Sequence, residues 1–239
     1  MSRLRLGHRN LAALAACLIV LLMVAWLAGC QSILGAGSVS RSSDAVRLGP
    51  LPGQPVAAYL TGLPVKLPPV GGPAVPALVE LSTELDTSTA AALVAGTRPI
   101  TAVLRVPLPR VQTALRFQRL TPVDDADPAV AVRRQLMLAQ AAAARAAAAD
   151  TVRLTSRPAQ IATAEAAALS RPGCGCVLAV LVSADHAGLD RLAARPGVRA
   201  VDAAPVGTPE TGVALTPLLP EQTELVGPVP DDGPEPPSP

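Results

Sequence analysis

Aromatic residues are nearly absent from this chain of 239 residues, which contains one Trp, one Tyr and one Phe. Trp26 lies in an N-terminal apolar run, so Tyr59 and Phe117 are the aromatic residues of the remaining chain. Proteins that bind single-stranded nucleic acid stack the bases on aromatic side chains. The composition therefore disfavours a nucleic acid site of that kind and an aromatic-lined sugar site, and it predicts a core of Leu, Val and Ala.

An excess of one charge sign and a supply of metal ligands are also lacking. The 20 basic and 18 acidic residues give a net charge of +2, with no basic stripe of the kind that DNA-binding surfaces carry. Downstream of the N-terminal leader, the sequence has one histidine, His186. The absence of a basic stripe predicts no nucleic acid partner. Because a structural metal site needs about four ligands, we also expect no metal and no cofactor.

The first 27 residues have the pattern of an export signal. Arg3, Arg5 and Arg9 make a basic leader without acidic residues, and 11–27 then carry no charge. A basic leader before an apolar run that ends in small residues is typical of exported proteins, with the arginines staying cytoplasmic. As a helix, 11–27 would be about 26 Å long against a hydrocarbon core of about 30 Å, which is borderline for a permanent span.

The apolar run ends in Leu27-Ala28-Gly29-Cys30, which resembles the lipobox of bacterial lipoproteins. The resemblance implies that 1–29 are a signal peptide that is removed and that Cys30 receives a diacylglyceryl group. The alternative is an uncleaved single-pass anchor with a chance cysteine. Either way, we expect the remaining chain on the extracytoplasmic face of the cell membrane, lipid-anchored in the first case and held by the N-terminal helix in the second.

Composition divides the exported chain into three parts. Residues 30–76 are rich in Ser, Gly and Pro, which predicts a tether that is flexible at first and stiffer where prolines recur. Residues 206–239 have recurring prolines, an acidic end and no periodic pattern, which predicts a disordered tail. One domain of ordinary size is therefore expected at 77–205, with an insertion at 110–172.

The expected domain contains two similar halves. The first half has candidate strands at 77–83 and 100–106, and the second has candidate strands at 177–183 and 198–203. A short helix follows each first strand, begun by Asp86 in one half and by Asp185 in the other, 99 positions apart. Two strand–helix–strand units predict an α+β domain with a ferredoxin-like, split βαβ fold.

The insertion is expected to form a helical hairpin. Asp124, Asp125 and Asp127 precede Pro128, which suits the start of a helix, and an Ala-rich run reaches Ala149. A second helix is expected at 158–169. An uncovered face of Val and Leu would cause aggregation. We therefore expect the hairpin to cover the sheet face opposite the two short helices; packing against a partner helix is the alternative.

Cys174-Gly175-Cys176 is the sharpest chemical feature of the exported part. The flanking glycines would let the backbone bend enough for a disulfide between the two cysteines, and the cell envelope permits disulfides. A redox-active pair, a disulfide between molecules, half of a metal site and inert thiols are the alternatives. The strained ring that a CxC disulfide closes would favour the redox interpretation.

No catalytic residue is predicted. His186 follows a helix cap and is expected to be solvated, because no serine motif accompanies it. The three aspartates before Pro128 lack the glycine and distal glutamate of a calcium loop. Arg116 and Arg119 are expected on a solvated face.

One further resemblance concerns 189–202, where Leu189 and Leu192 precede Arg-Pro-Gly-Val and Val201-Asp202. This stretch is similar to the helix–turn–strand of inhibitor-type propeptides of subtilisin-like proteases, which are ferredoxin-like. The expected function is a non-enzymatic, membrane-tethered binding or scaffold module with a protein partner. A thiol–disulfide protein using Cys174 and Cys176, and a single-pass sensor, are the alternatives.

Overall fold

The computed structural model describes residues 45–234. The predicted leader, the apolar run and Cys30 therefore lie outside the described residues. Within the described range, no helix has both the length and the hydropathy that a membrane crossing requires.

The described chain forms seven strands and five α-helices. The strands are β1 (Val46–Leu48), β2 (Val75–Leu85), β3 (Arg98–Leu104), β4 (Arg116–Arg119), β5 (Val177–Ala184), β6 (Val198–Ala203) and β7 (Val213–Leu215). The helices are α1 (Val56–Gly62), α2 (Thr87–Leu93), α3 (Pro128–Arg153), α4 (Ser156–Leu169) and α5 (His186–Ala193), with short 3₁₀ turns at Pro64–Lys66 and Glu210–Gly212.

Five strands form one sheet in the order β4-β3-β5-β2-β6, and every neighbouring pair is antiparallel. The middle strand, β5, is apolar through most of its length and nearly all its residues are buried, as expected for a strand covered on both faces. With helices packed on this antiparallel sheet, the α+β class is confirmed.

The two short helices begin where the sequence predicts. The Asp86 carboxylate accepts hydrogen bonds from the N–H groups of Ser88 and Thr89 at 2.9 and 3.1 Å, at the start of α2. Asp185 accepts from the N–H of Gly188 at 2.8 Å, at the start of α5. These bonds satisfy N–H groups that have no partner inside the helix, which explains why each helix begins there.

The helical hairpin forms, but its predicted position is wrong. The buried apolar side chains of α3 join one core cluster with those of α2 and α5 and with one face of the five-stranded sheet. The hairpin thus shares a face with the short helices. The reason lies in side-chain size: the buried positions of α3 are mostly alanines, which let this helix approach α2 and the sheet edge closely.

The opposite face of the sheet is covered by a second, two-stranded parallel sheet of β1 and β7. Leu48 from β1 is buried against Leu78, Leu178 and Leu181 of the large sheet, with β7 packed beside them. These covering strands come from the segments predicted as tether and tail. The prediction of a tether at 30–76 is therefore wrong for 45–76, and that of a disordered tail at 206–239 is wrong for 206–234.

Helix α1 shows why part of the expected tether folds. Val56, Tyr59 and Leu63 recur at helical spacing and are buried in a third apolar cluster with Leu218 and Val226 of the C-terminal segment. Pro55 precedes the helix rather than interrupting it. The prolines in this stretch delimit short elements, which the composition alone does not reveal.

Candidate functional site

Two carboxylates lie buried side by side on neighbouring strands of the large sheet. Glu80 is in β2 and Asp202 is in β6, and both side chains have an exposed fraction of 0%. The strand register pairs Leu78 with Asp202 and Glu80 with Ala200. The two acids are therefore diagonal neighbours on adjacent strands, offset by two residues along the strand direction. Buried carboxylates require hydrogen-bond donors or cations as partners.

The partners of Glu80 come from two segments that lie outside the sheet. The N–H of Leu218 donates to Glu80 Oε1 at 2.7 Å, and the Tyr59 hydroxyl lies 3.0 Å from Glu80 Oε2. Glu80 thus joins α1 and the C-terminal segment to β2.

The partners of Asp202 belong to the N-terminal part of the described chain. Lys66 Nζ lies 2.9 Å from Asp202 Oδ1, and the N–H of Gly49 donates to Asp202 Oδ2 at 2.8 Å. The Tyr59 hydroxyl lies 3.5 Å from the same Oδ2 atom. Tyr59, Lys66, Glu80 and Asp202 are called the carboxylate cluster below.

Burial sets the electrostatics of this cluster. Loss of solvent raises the pKa of Glu80 to about 7, although the N–H of Leu218 and the Tyr59 hydroxyl favour the charged form. Burial also raises the pKa of Tyr59, which the two nearby carboxylates raise further. The side chain of Lys66 is 43% exposed and the two carboxylates are fully buried. A substrate therefore cannot reach the acids, and the geometry suits a structural contact that holds or releases a proton.

Sequence reasoning missed the carboxylate cluster, although a signal for half of it was present. Glu80 stands between Val79 and Leu81 in an otherwise apolar strand, and Asp202 follows Val201 in a similar position. A single acidic residue inside a buried strand indicates a partner on another element. The partners themselves belong to segments whose composition predicts a tether and a tail, so the sequence does not predict these contacts.

The structure pairs the sulfur atoms of Cys174 and Cys176, whose Cα atoms are 5.3 Å apart, within the usual range for a disulfide. Cys176 is 1% exposed and continues into β5, where its N–H donates to the Leu85 carbonyl at 3.1 Å. A thiol attacking the more exposed Cys174 would leave a thiolate at Cys176 without solvent. This burial disfavours thiol–disulfide exchange and supports a structural disulfide. That the disulfide forms in the cell envelope stays a prediction.

Two other residues singled out in the sequence make structural hydrogen bonds. The sequence predicts that His186 is solvated, but it is half-buried, and its Nδ1 lies 2.7 Å from the Pro68 carbonyl oxygen, which joins α5 to the segment after α1. Asp127 accepts from the N–H of Ala129 at 2.8 Å and begins α3 as its cap. Across residues 45–234, no group of three or more His, Cys, Asp or Glu side chains is arranged to hold a metal ion.

Arg116 departs from the sequence prediction of a solvated face. It is buried under the hairpin, where Nη1 lies 3.0 Å from Asp150 Oδ2 and Nη2 lies 2.5 Å from Glu165 Oε2. Arg116 belongs to β4, the edge strand, which the sequence analysis placed inside the insertion without assigning it as a strand. The two ion pairs, one buried and one partly buried, fasten both hairpin helices to this edge.

A surface groove of about 530 Å³ runs between α3 and the loop that follows α4. It is called the hairpin groove here, and its lining is Thr87, Met137, Gln140, Ala141, Ala144, Arg145, Ala148, Leu169, Ser170, Arg171, Pro172 and Gly173. The part of the lining that α3 supplies includes Met137 and the alanines at 141, 144 and 148. Its charged lining residues, Arg145 and Arg171, are both basic, which gives the groove an apolar and positively charged character.

A second depression, of about 650 Å³, lies at one end of the sheet and has a more polar lining. Arg98 and Arg119 border it together with Ser183, Thr208 and Glu210. Arg98 is already paired with Glu210. The depression is wide and open, so it holds a ligand less well than the hairpin groove does.

Comparison with protein-family models, with curated proteins and with solved structures finds no match for this chain.

Proposed function

We propose that this protein is a lipoprotein of the cell envelope, anchored through Cys30 on the extracytoplasmic face of the membrane. Its folded part would act there as a non-enzymatic binding or scaffold module. The observation that carries this proposal is the order of a basic leader, an uncharged run at 11–27 and the ending Leu27-Ala28-Gly29-Cys30. Two or more acyl chains give stable membrane attachment, whereas one chain is marginal.

The described fold shortens the expected tether. The first strand begins at Val46, which leaves fifteen residues, 31–45, between the proposed lipid anchor and the domain. Fully extended, fifteen residues reach at most about 50 Å. The proposed anchor would therefore keep the domain close to the membrane surface, where a partner in the same membrane is within reach.

We further infer that the domain is a ferredoxin-like, split βαβ fold with added covering strands. The order β6-β2-β5-β3, its antiparallel pairing and the helices α2 and α5 between the strands of each unit support this inference. The edge strand β4, the helical hairpin and the β1–β7 sheet are additions to that pattern.

The hairpin groove is the proposed binding surface. The alanines and Met137 of its lining offer apolar contacts, and Arg145 and Arg171 supply positive charge without a lining carboxylate. Apolar contact area provides affinity, and complementary charge selects the partner. The occupant we propose is an amphipathic protein helix with acidic residues beside its apolar stripe.

The anchor is tested by replacing Cys30 with Ser and by the matched replacement of Cys17, which lies inside the apolar run. Cells are labelled with a radioactive fatty acid, and the mass of the protein is measured. The wild-type protein and the Cys17→Ser variant should carry label and begin at residue 30. The Cys30→Ser variant should lose label and keep its leader. An intact Met1 in the wild-type protein would support the single-pass alternative and refute lipidation.

The binding surface is tested with a photo-crosslinking amino acid at Ala141, an exposed residue in the lining of the groove. The matched control position is Val152, on the same helix, 85% exposed and outside the groove lining. The Ala141 probe should capture a defined envelope protein, and an Ala141→Glu substitution should abolish the complex identified in this way. Equal capture from both positions would refute a specific site in the groove.

A further inference from the structure

We propose that the carboxylate cluster is a proton-controlled contact that holds the N-terminal segment 45–66 and the C-terminal segment 216–226 on the sheet. With a proton on Glu80 the contact is tight, and ionisation of Glu80 loosens it. This inference goes beyond the proposed binding function and does not depend on lipidation of Cys30.

The geometry makes Glu80 and Asp202 the junction of the covering segments. Asp202 accepts hydrogen bonds from the N–H of Gly49, in the turn after β1, and from the ammonium of Lys66, in the 3₁₀ turn. Glu80 accepts a hydrogen bond from the N–H of Leu218, in the C-terminal segment. Tyr59 of α1 lies between both carboxylates, at 3.0 and 3.5 Å from their oxygens. The four donor groups thus belong to the two covering segments, and both acceptors belong to the large sheet.

The number of hydrogen bonds at Tyr59 depends on the protonation of Glu80. The Tyr59 hydroxyl has one proton but faces two carboxylate oxygens. If Glu80 is protonated, its O–H donates to the Tyr59 oxygen and the Tyr59 O–H donates to Asp202. If Glu80 is ionised, Tyr59 can donate to one acid alone, so one hydrogen bond of the chain from Glu80 to Asp202 is lost, while Gly49, Lys66 and Leu218 still donate to the carboxylates.

Counting charge leads to the same conclusion. With Glu80 neutral, the positive charge of Lys66 balances the negative charge of Asp202 across 2.9 Å. Ionised Glu80 would add a second buried negative charge beside Asp202. Arg199 of β6 is the other nearby cation and favours the charged form of Glu80 at a distance, but its guanidinium donates to the carbonyl oxygens of Leu219 and Gln222 and to neither carboxylate.

Four charged or titratable groups face Glu80 from the elements packed around it. Tyr59 comes from α1, Lys66 from the 3₁₀ turn, Asp202 and Arg199 from β6, and the uncharged Leu218 N–H from the C-terminal segment. In the closed state both covering segments lie on the sheet. Burial raises the pKa of Glu80 to about 7 in this state, so the proton is bound at mildly acidic pH. Opening hydrates Glu80 and returns its pKa towards the ordinary value of about 4.3.

The population of the open state, in which the covering segments have left the sheet, therefore increases as pH rises from about 4.5 to about 7 and levels off above that interval. Between pH 5 and pH 8 the population of the open state should rise by a factor on the order of 50. Opening would expose the apolar cluster that includes Val56, Leu63, Ala200 and Val226.

Hydrogen exchange of the full chain in detergent micelles tests the proposal. Amide protection, corrected for the pH dependence of chemical exchange, is compared at pH 5 and pH 8. In the wild-type protein, peptides from α1 and 216–226 should lose protection by a factor on the order of 50, whereas peptides from α3 should change little. In the Glu80→Gln variant, the amide imitates the protonated acid, so protection should be nearly independent of pH.

A second measurement keeps the test decisive if the variant does not fold. The chain contains one tyrosine, so a ring-labelled tyrosine gives NMR signals from Tyr59 alone. In the wild-type protein these signals should titrate with a midpoint near neutral pH, together with the loss of protection in α1. Unchanged protection between pH 5 and pH 8, an equal loss in the Glu80→Gln variant, or a Tyr59 midpoint in the ordinary glutamate range would each overturn the proposal.

Discussion

Replacing Glu80 with a glutamine should make the whole domain more stable at pH 8. Glu80 is fully buried, and its pKa is raised to about 7 in the folded chain. The folded state therefore binds the proton more tightly than the unfolded state, whose glutamate has its ordinary pKa. Stability is greatest below the unfolded pKa and falls as pH rises towards 7, because the unfolded state then loses its proton first.

The size of the effect follows from the shift. A difference of about 2.5 pKa units corresponds to about 3.5 kcal/mol of unfolding free energy at pH 8, since each unit is worth about 1.4 kcal/mol. The side-chain amide of the Glu80→Gln variant would retain an acceptor for the Leu218 N–H and a donor for the Tyr59 oxygen, in the positions where Glu80 makes these contacts. The second N–H of that amide would need a partner, and this reduces the expected gain to roughly 2 kcal/mol.

Equilibrium urea unfolding at a series of pH values measures this difference. At pH 4 the Glu80→Gln variant should be about 1 kcal/mol less stable than wild type because of the extra amide N–H. The order should reverse as pH rises, and the variant should be roughly 2 kcal/mol more stable near pH 8. Glu224→Gln, at an exposed carboxylate of the C-terminal segment, is the matched control and should follow the wild-type curve. A Glu80→Gln variant that is less stable than wild type at every pH would refute the argument from burial.

Three further predictions concern stability and use the same unfolding assay. Asp86→Ala should cost about 1 kcal/mol, because it removes the cap of α2, and the loss should shrink in acid once this low-pKa carboxylate is protonated. Gly49→Ala should cost at least about 3 kcal/mol, since its φ is +108° and the added methyl group overlaps the backbone beside β7; Gly53→Ala, at φ +77° with open space, should cost about 1 kcal/mol. Leu136→Ala should cost roughly 2 to 5 kcal/mol because a cavity forms in the core, and Leu138→Ala at 55% exposure should stay within about 0.5 kcal/mol.

The central sheet could be predicted from the sequence because its signals are local. Four strands carry continuous or alternating apolar residues, and Asp86 and Asp185 indicate the helices that follow them. Cap, strand and turn signals each lie within a few neighbouring residues. The antiparallel order of these strands then followed from the similarity of the two halves.

The covering segments could not be predicted because their partners are distant in the chain. β1 pairs with β7 across more than 160 positions, and three residues are too few to give a periodic signal. Val56, Tyr59 and Leu63 do have helical spacing, but the surrounding prolines suggested an extended tether. The carboxylate cluster depends on these same segments, so it remained hidden for the same reason.

The position of the carboxylate cluster leads to a prediction that combines the two proposals. The proposed tether enters the domain at β1, next to Gly49, whose N–H donates to Asp202. Release of 45–66 would therefore lengthen the tether from fifteen residues, 31–45, to thirty-six residues, 31–66. As a flexible chain, its mean end-to-end distance would grow from about 20 Å to about 33 Å.

Energy transfer from a dye on α3 to acceptor lipids measures this change. The dye is attached through Val152→Cys, an exposed position outside the hairpin groove. In membranes, transfer should decrease between pH 5 and pH 8 for the wild-type chain and stay constant for the Glu80→Gln variant. Since that variant keeps the same anchor and the same dye, a decrease of equal size in both would assign the change to the membrane or the dye. The carboxylate cluster would then not control the length of the tether.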